Sequence, residues 1–155
     1  MSSSIKLSKY WRRIPFLILY YSIGRFLPSS YSIGGGFAKK FRYFCCKHIF
    51  EYCGKNVNIE RMACFGSGFR IKIGDNSGIG LRCTVCSDIE IGDNVLMGPE
   101  CFFLTFNHAF RDKSRTVKSQ GYQPRKKTVI GNVCKDFEAY SIIGGNPSRK
   151  IGERE

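Results

Sequence analysis

The chain has 155 residues, the size of one domain, and 43% of them are apolar, an ordinary share for a globular protein. Its net charge of +13 gathers at the two ends: residues 1–55 hold ten Lys/Arg against one acid, residues 106–155 eleven against five, and residues 56–105 four against six. No zinc-finger, RNA-recognition or basic-zipper signature accompanies that charge, so nucleic acid is set aside as a partner.

Lys6, Lys9, Arg12 and Arg13 precede an apolar run over residues 14–21 (IPFLILYY). A signal peptide has the same layout, but no A-x-A site follows. The run is also short of the roughly 20 residues that a membrane-spanning helix needs. Tyr10, Ile14, Leu17, Ile18 and Tyr21 keep helical spacing, with Pro15 near the start, where proline is tolerated. The stretch reads as an amphipathic helix that either caps the domain or rests on an anionic membrane surface. Residues 28–36 (PSSYSIGGG) read as a loop, and a second helix is predicted over residues 37–53, stopped by Gly54. The eight cysteines read as reduced thiols serving as small apolar residues in a cytosolic protein.

From Ile73 the chain falls into sixes: IGDNSG, IGLRCT, VCSDIE, IGDNVL, MGPECF, FLTFNH. The first position is Ile73, Ile79, Val85, Ile91, Met97 and Phe103, apolar each time. The second is small in five of six units, and the fifth (Ser77, Cys83, Ile89, Val95, Cys101, Asn107) is small or apolar until the last. Upstream, Ile59 and Phe65 keep the step and join the main run after a two-residue offset. A period of six fits a short strand plus a turn; three units close a triangular coil of eighteen residues. The first-position side chains would point inward and stack on their copies one coil away, and the small second residue would ease the turn.

These units, followed by an excursion and a closing Gly144-Gly145-Asn146-Pro147, resemble the hexapeptide-repeat acyltransferases. The similar subgroup holds the maltose and galactoside O-acetyltransferases and acetyltransferases of polysaccharide-biosynthesis clusters. The resemblance covers residues 56–155, with an external loop near 108–128; residues 1–55 form a basic, aromatic helical segment ahead of it. It implies a left-handed parallel β-helix, an all-β solenoid, and a homotrimer with sites between subunits. It implies transfer of an acetyl group from acetyl-coenzyme A to a hydroxyl of a sugar or polysaccharide precursor. No metal is required. The location implied is cytoplasmic, with peripheral membrane contact through the N-terminus.

An alcohol is a weak nucleophile at neutral pH, so a base must take its proton as it attacks; imidazole suits that task. His108 stands where the family has its base, ahead of a loop carrying Gln120-Gly121. Asn107 would either orient the acceptor or only hydrogen-bond the loop. Asn146, Arg149 and Lys150 stand where the family meets the nucleotide end of coenzyme A, with Lys126 and Lys127 as weaker candidates for its phosphates. Cys83-x-x-Cys86 places its two thiols at different repeat positions, which disfavours a zinc site. A zinc carbonic anhydrase on this architecture needs three His per metal, and the chain has only His48 and His108. One departure from the family stands out: Ile130-Gly131-Asn132 runs almost directly into Lys135-Asp136, omitting more than one coil. The omission favours an alternative reading, an inactive β-helix serving as a binding or assembly module.

Overall fold

A computed structural model describes residues 10–104, 107–124, 127–131, 141–144 and 149–153, the last two stretches through their backbone alone. The six-residue period appears as three parallel stacks. One side holds β1 (Tyr52–Cys53), β3 (Lys72–Ile73), β5 (Ile89–Ile91) and β6 (Thr128–Ile130), in that order. A second holds β2 (Asn58–Ile59) and β4 (Gly78–Ile79), extended by a bridge from Gly78 to Leu96. The third is made of single bridges, Cys64 to Thr84 and Thr84 to Phe102. Three parallel sides advancing by a common step fit a parallel β-helix, in which each coil buries its apolar row only against its neighbours.

The register carries the repeat. Ile73 pairs with Ile91, eighteen residues on, and Thr84 with Phe102, also eighteen. One coil earlier the step is twenty, Ile59 to Ile79 and Cys64 to Thr84. The two extra residues therefore lie between Cys64 and Lys72, where Gly66 (φ 58°) and Gly68 (φ 65°) take left-handed conformations. Inside the coils, Ile73, Ile79, Val85, Ile91 and Met97 are buried, with Ser77, Cys83, Ile89 and Val95 beside them. Ser77 is the polar member of that row. Its hydroxyl donates to Gly92 O (2.6 Å) and accepts the Val95 N–H (3.0 Å), so its burial leaves no group unpaired. Cys101 is half-buried and Asn107 is exposed, because the chain leaves the coil there.

The corners correct one sequence expectation. The residue that turns left-handed is the fourth of the unit: Asn56 (φ 52°), Asn76 (φ 55°) and Asn94 (φ 57°) at one corner, where a short polar side chain tolerates that region, and Met62 (φ 61°), Arg82 (φ 54°) and Glu100 (φ 60°) at the next. The second-position glycine serves close approach instead. A Cβ on Gly74 would lie 2.3 Å from Asp93 Oδ1 and 2.7 Å from Asp93 N. That space is taken by an aspartate ladder: Asp75 Oδ1 accepts the Lys55 N–H (2.7 Å), and Asp93 Oδ1 accepts the Asp75 N–H (2.7 Å). Gly74→Ala is expected to cost about 3 kcal/mol, the upper end of the overpacking range. Gly36→Ala, where a Cβ meets nothing within 4 Å, should not lower stability. Urea unfolding midpoints of the two variants check the contrast.

Two helices cover the first coil. Helix α1 (Ile14–Ser22) carries proline in its first turn, as expected. Helix α2 (Gly35–Ile49) is entered through Gly34 at φ 79°. It ends four residues before the predicted stop at Cys53, since Phe50 turns extended and the Glu51 and Tyr52 N–H groups bond Ile71 O. The coil thus recruits residues 51–53, ahead of the expected boundary at 56. Ala38, Arg42, Cys45, Cys46 and Ile49 form the buried face of α2, and Tyr20 of α1 donates to Ala63 O (2.9 Å). The segment therefore caps the coils through its inner face. After β6 the described backbone forms an antiparallel hairpin, β7 (Ser141–Gly144) with β8 (Arg149–Glu153).

Candidate active site

On the first side of the coil stack, Ile91 pairs with Ile130, thirty-nine residues on instead of eighteen. The twenty-one-residue difference is the excursion that the sequence places near 108–128. Its root is an antiparallel pair. His108 sits opposite Tyr122, the Gln123 N–H donates to Asn107 O (2.8 Å), and the Ala109 N–H donates to Gly121 O (3.0 Å). The His108 ring stacks on Tyr122 at 4.5 Å between centroids and 28° between planes. Asn107 Oδ1 accepts the His108 N–H (2.8 Å), so the Asn107 side chain fixes the backbone that presents the imidazole. Both residues are exposed.

The rest of the loop is tied to itself. Gln120 Nε2 donates to Asp112 O (2.8 Å) and Arg115 O (3.0 Å), while its Oε1 accepts the Asp112 N–H (3.0 Å). Gly121, at φ 76° and ψ −145°, takes a conformation essentially confined to glycine. Gln120 therefore closes the loop and Gly121 redirects it toward His108. Gln120→Ala should speed tryptic cleavage at the exposed Arg111, Lys113, Arg115 and Lys118 severalfold while leaving the melting temperature unchanged, since these bonds are local to an exposed loop. Limited digestion beside a thermal melt measures both.

Two concavities mark the described surface, one of them against the loop. One, about 510 Å³, lies against the excursion and is lined in part by Ala109, Arg111, Gln120 and Tyr122. The other, about 580 Å³, runs over the second side of the coils between the 30–31 loop and Leu96, with Asn58 and Glu60 on its wall. His108 lines neither. The second groove has a polar floor that the sequence did not suggest. Glu60, 6% exposed, accepts from Asn58 Nδ2 (2.9 Å), from the Ser30 N–H and hydroxyl, and from the Arg61 N–H (3.2 Å). Arg42, fully buried, lies 3.8 Å from Glu60 and donates to Ile59 O and Pro28 O. Burial pushes the Glu60 carboxyl up, and the bonds from Ser30, Asn58 and Arg61 outweigh it, so its pKa falls below the ordinary value. Burial likewise dominates for Arg42 and lowers its pKa, with Glu60 offsetting only part. Asn58 Oδ1 is buried without a hydrogen-bond partner.

The remaining predicted residues are less defined. Asn146 and Lys126 lie outside the described residues, and Arg149 and Lys150 belong to β8. Lys127 is engaged by Glu90 on the neighbouring strand β5. Cys83 is fully buried and donates to Gly98 O (3.1 Å), whereas Cys86 is half-buried.

A parallel coil stack interrupted by one tied loop with a histidine at its root is an arrangement that comparison with known proteins can place. No protein-family model matches the chain, and no curated protein sequence does. Among solved structures, the chain is similar to a maltose O-acetyltransferase from Clostridium difficile 630. The likeness has a TM-score of 0.60 at 22% identity and covers 95% of this chain and 88% of the other. At that identity it shows a shared fold.

Proposed function

We propose that the chain is a coenzyme A-dependent O-acetyltransferase built on a left-handed parallel β-helix, moving an acetyl group from acetyl-coenzyme A to a hydroxyl of a sugar or polysaccharide precursor. The observation that carries the reading is the locked presentation of His108 at the root of a loop inserted between paired strands of one coil side. The fold shared with a protein described as a maltose O-acetyltransferase supports it.

In this reading the His108 imidazole takes the acceptor's hydroxyl proton as that oxygen attacks the thioester carbonyl. Backbone N–H groups at coil corners hold the oxyanion of the tetrahedral intermediate. When the intermediate collapses, the carbon–sulfur bond breaks, the thiolate leaves and the imidazolium returns the proton. Asn107 is a positioning residue through its bond to the His108 N–H. Asn146, Arg149 and Lys150 meet the nucleotide end of the donor, and no metal takes part. His108 lines neither of the two described concavities, although its neighbours Ala109 and Tyr122 line the one against the loop. In the homotrimer that belongs to this reading, the coil-side groove of a neighbouring copy, lined in part by Asn58 and Glu60, holds the acceptor against His108. The division into a helical segment and a coil domain that starts with β1 belongs to this reading, as does a cytoplasmic location.

The test is thiol release from acetyl-coenzyme A by the purified chain with a panel of mono- and oligosaccharides. Release that depends on acceptor and enzyme supports the assignment; none with any acceptor speaks against it. One observation favours the second reading, an inactive binding or assembly module: β6 is the last strand of the parallel stack among the described residues, and β7 pairs with β8 antiparallel. A monomer in sedimentation that binds no coenzyme A would support that module.

A further inference from the structure

Helix α1 has no charged residue from Ile14 to Ser22 and is apolar on all sides, yet within it only Tyr20 is buried. A helix of that kind is normally covered all round. Here the coils cover its inner side, and none of the described residues covers its outer side at Ile18. Ile18 (63% exposed) stands outward on α1, and Trp11 (67%) stands exposed three residues ahead of the helix. On α2 the outward row alternates Phe37 (70%) and Phe44 (49%) with the exposed Lys40 and Lys47. Phe16 joins the helices: its ring lies 5.7 Å from that of Phe44 and 4.3 Å from that of His48. The result is one two-helix face of aromatic and aliphatic groups studded with cations, Arg12 included.

Charge decides what that face fits. The first acidic residue of the chain is Glu51, so no carboxylate lies on either helix. Two copies meeting through this face would bring the lysines together with nothing to neutralise them. An anionic bilayer supplies both a home for the rings and counter-charge for the cations. No described helix is long and apolar enough to cross a membrane, so such contact is in the plane of the surface. We propose that the outward face of α1 and α2 docks on an anionic lipid surface, independently of the acyl-transfer reading.

Trp11 is the chain's only tryptophan and stands on the face, so intrinsic fluorescence reports docking directly. The full chain is titrated with phosphatidylcholine vesicles, with and without phosphatidylglycerol, and pelleted with them. The expected result is a blue shift and co-sedimentation with the anionic vesicles only, reversed by high salt. Replacing Arg12, Lys40 and Lys47 together by Gln should weaken binding by about 100-fold, roughly fivefold per charge. Ile18→Ser with Phe44→Ser should also weaken it, and both variants should melt as the parent does because the residues are exposed. Absence of any shift with anionic vesicles, or equal binding to neutral ones, overturns the proposal. Self-association lost in the Ile18→Ser, Phe44→Ser variant, without vesicle binding, overturns it in favour of a second copy.

Discussion

His108→Ala is expected to lower kcat for acetyl transfer by about 10²- to 10⁴-fold, the range that a positioned general base supplies. The variant should keep its melting temperature, because the side chain is exposed and its ring contact is to Tyr122 in the same loop. It should also keep its affinity for acetyl-coenzyme A, since the proposed base acts on the acceptor. Asn107→Ala separates position from chemistry: it removes the bond to the His108 N–H but leaves the imidazole. A smaller loss in kcat, about tenfold, is expected there, with the acceptor KM little changed. Equal losses in the two variants would place Asn107 in direct contact with substrate. Full activity in His108→Ala would remove the proposed base.

The second large effect lies in the polar floor of the coil-side groove. Glu60→Gln keeps the shape but leaves the Arg42 guanidinium buried without its anion. Breaking a buried pair in this way costs about 3–5 kcal/mol. In a domain of this size that is a fall in Tm of about 6–20 °C. Replacing both partners, Arg42→Met with Glu60→Gln, should cost less than the sum of the single changes, because no buried charge is stranded. Acidity acts on the same group. The folded Glu60 carboxyl holds its proton less tightly than an ordinary glutamic acid, whose pKa is 4.5. The unfolded chain therefore binds more protons in that range, and stability rises with pH there. The contribution is complete above pH 4.5 and disappears as pH falls below it through the folded pKa. Urea midpoints of parent and Glu60→Gln, followed downward from neutrality, should converge on acidification. A constant gap would mean that Glu60 does not carry the acid sensitivity.

The interior of the coils was legible because a repeat announces its own register. Ile73, Ile79, Val85, Ile91 and Met97 fall inward for the reason the period gives, and the two-residue offset between Phe65 and Ile73 is the Gly66–Gly68 corner. The corners were read less well. Gly74 looked like a turn residue, but the asparagine two places on turns, and the glycine clears Asp93 of the next coil. Distinguishing the two needs the neighbouring coil, which a single period does not show. Helix α2 was overextended because Tyr52 and Cys53 continue an apolar pattern that helix and strand share.

Of the candidate site, His108 was found through the repeat frame and the family resemblance, whereas its partners Tyr122 and Gln123 come from across the loop. The Arg42–Glu60 pair was missed, though one signal was present. Ala38, Arg42, Cys45, Cys46 and Ile49 share a helical face, and a base in an apolar stripe calls for a buried acid. The sequence alone does not say which acid, because the two residues come from different layers and meet only when α2 packs on β2.

The most direct test of the central claim is isothermal titration of acetyl-coenzyme A into the parent chain and His108→Ala. Both should bind with similar affinity, because the proposed base acts on the acceptor and not on the donor. A folded parent that takes up no heat would contradict it, and the coil stack would then stand as a binding or assembly module.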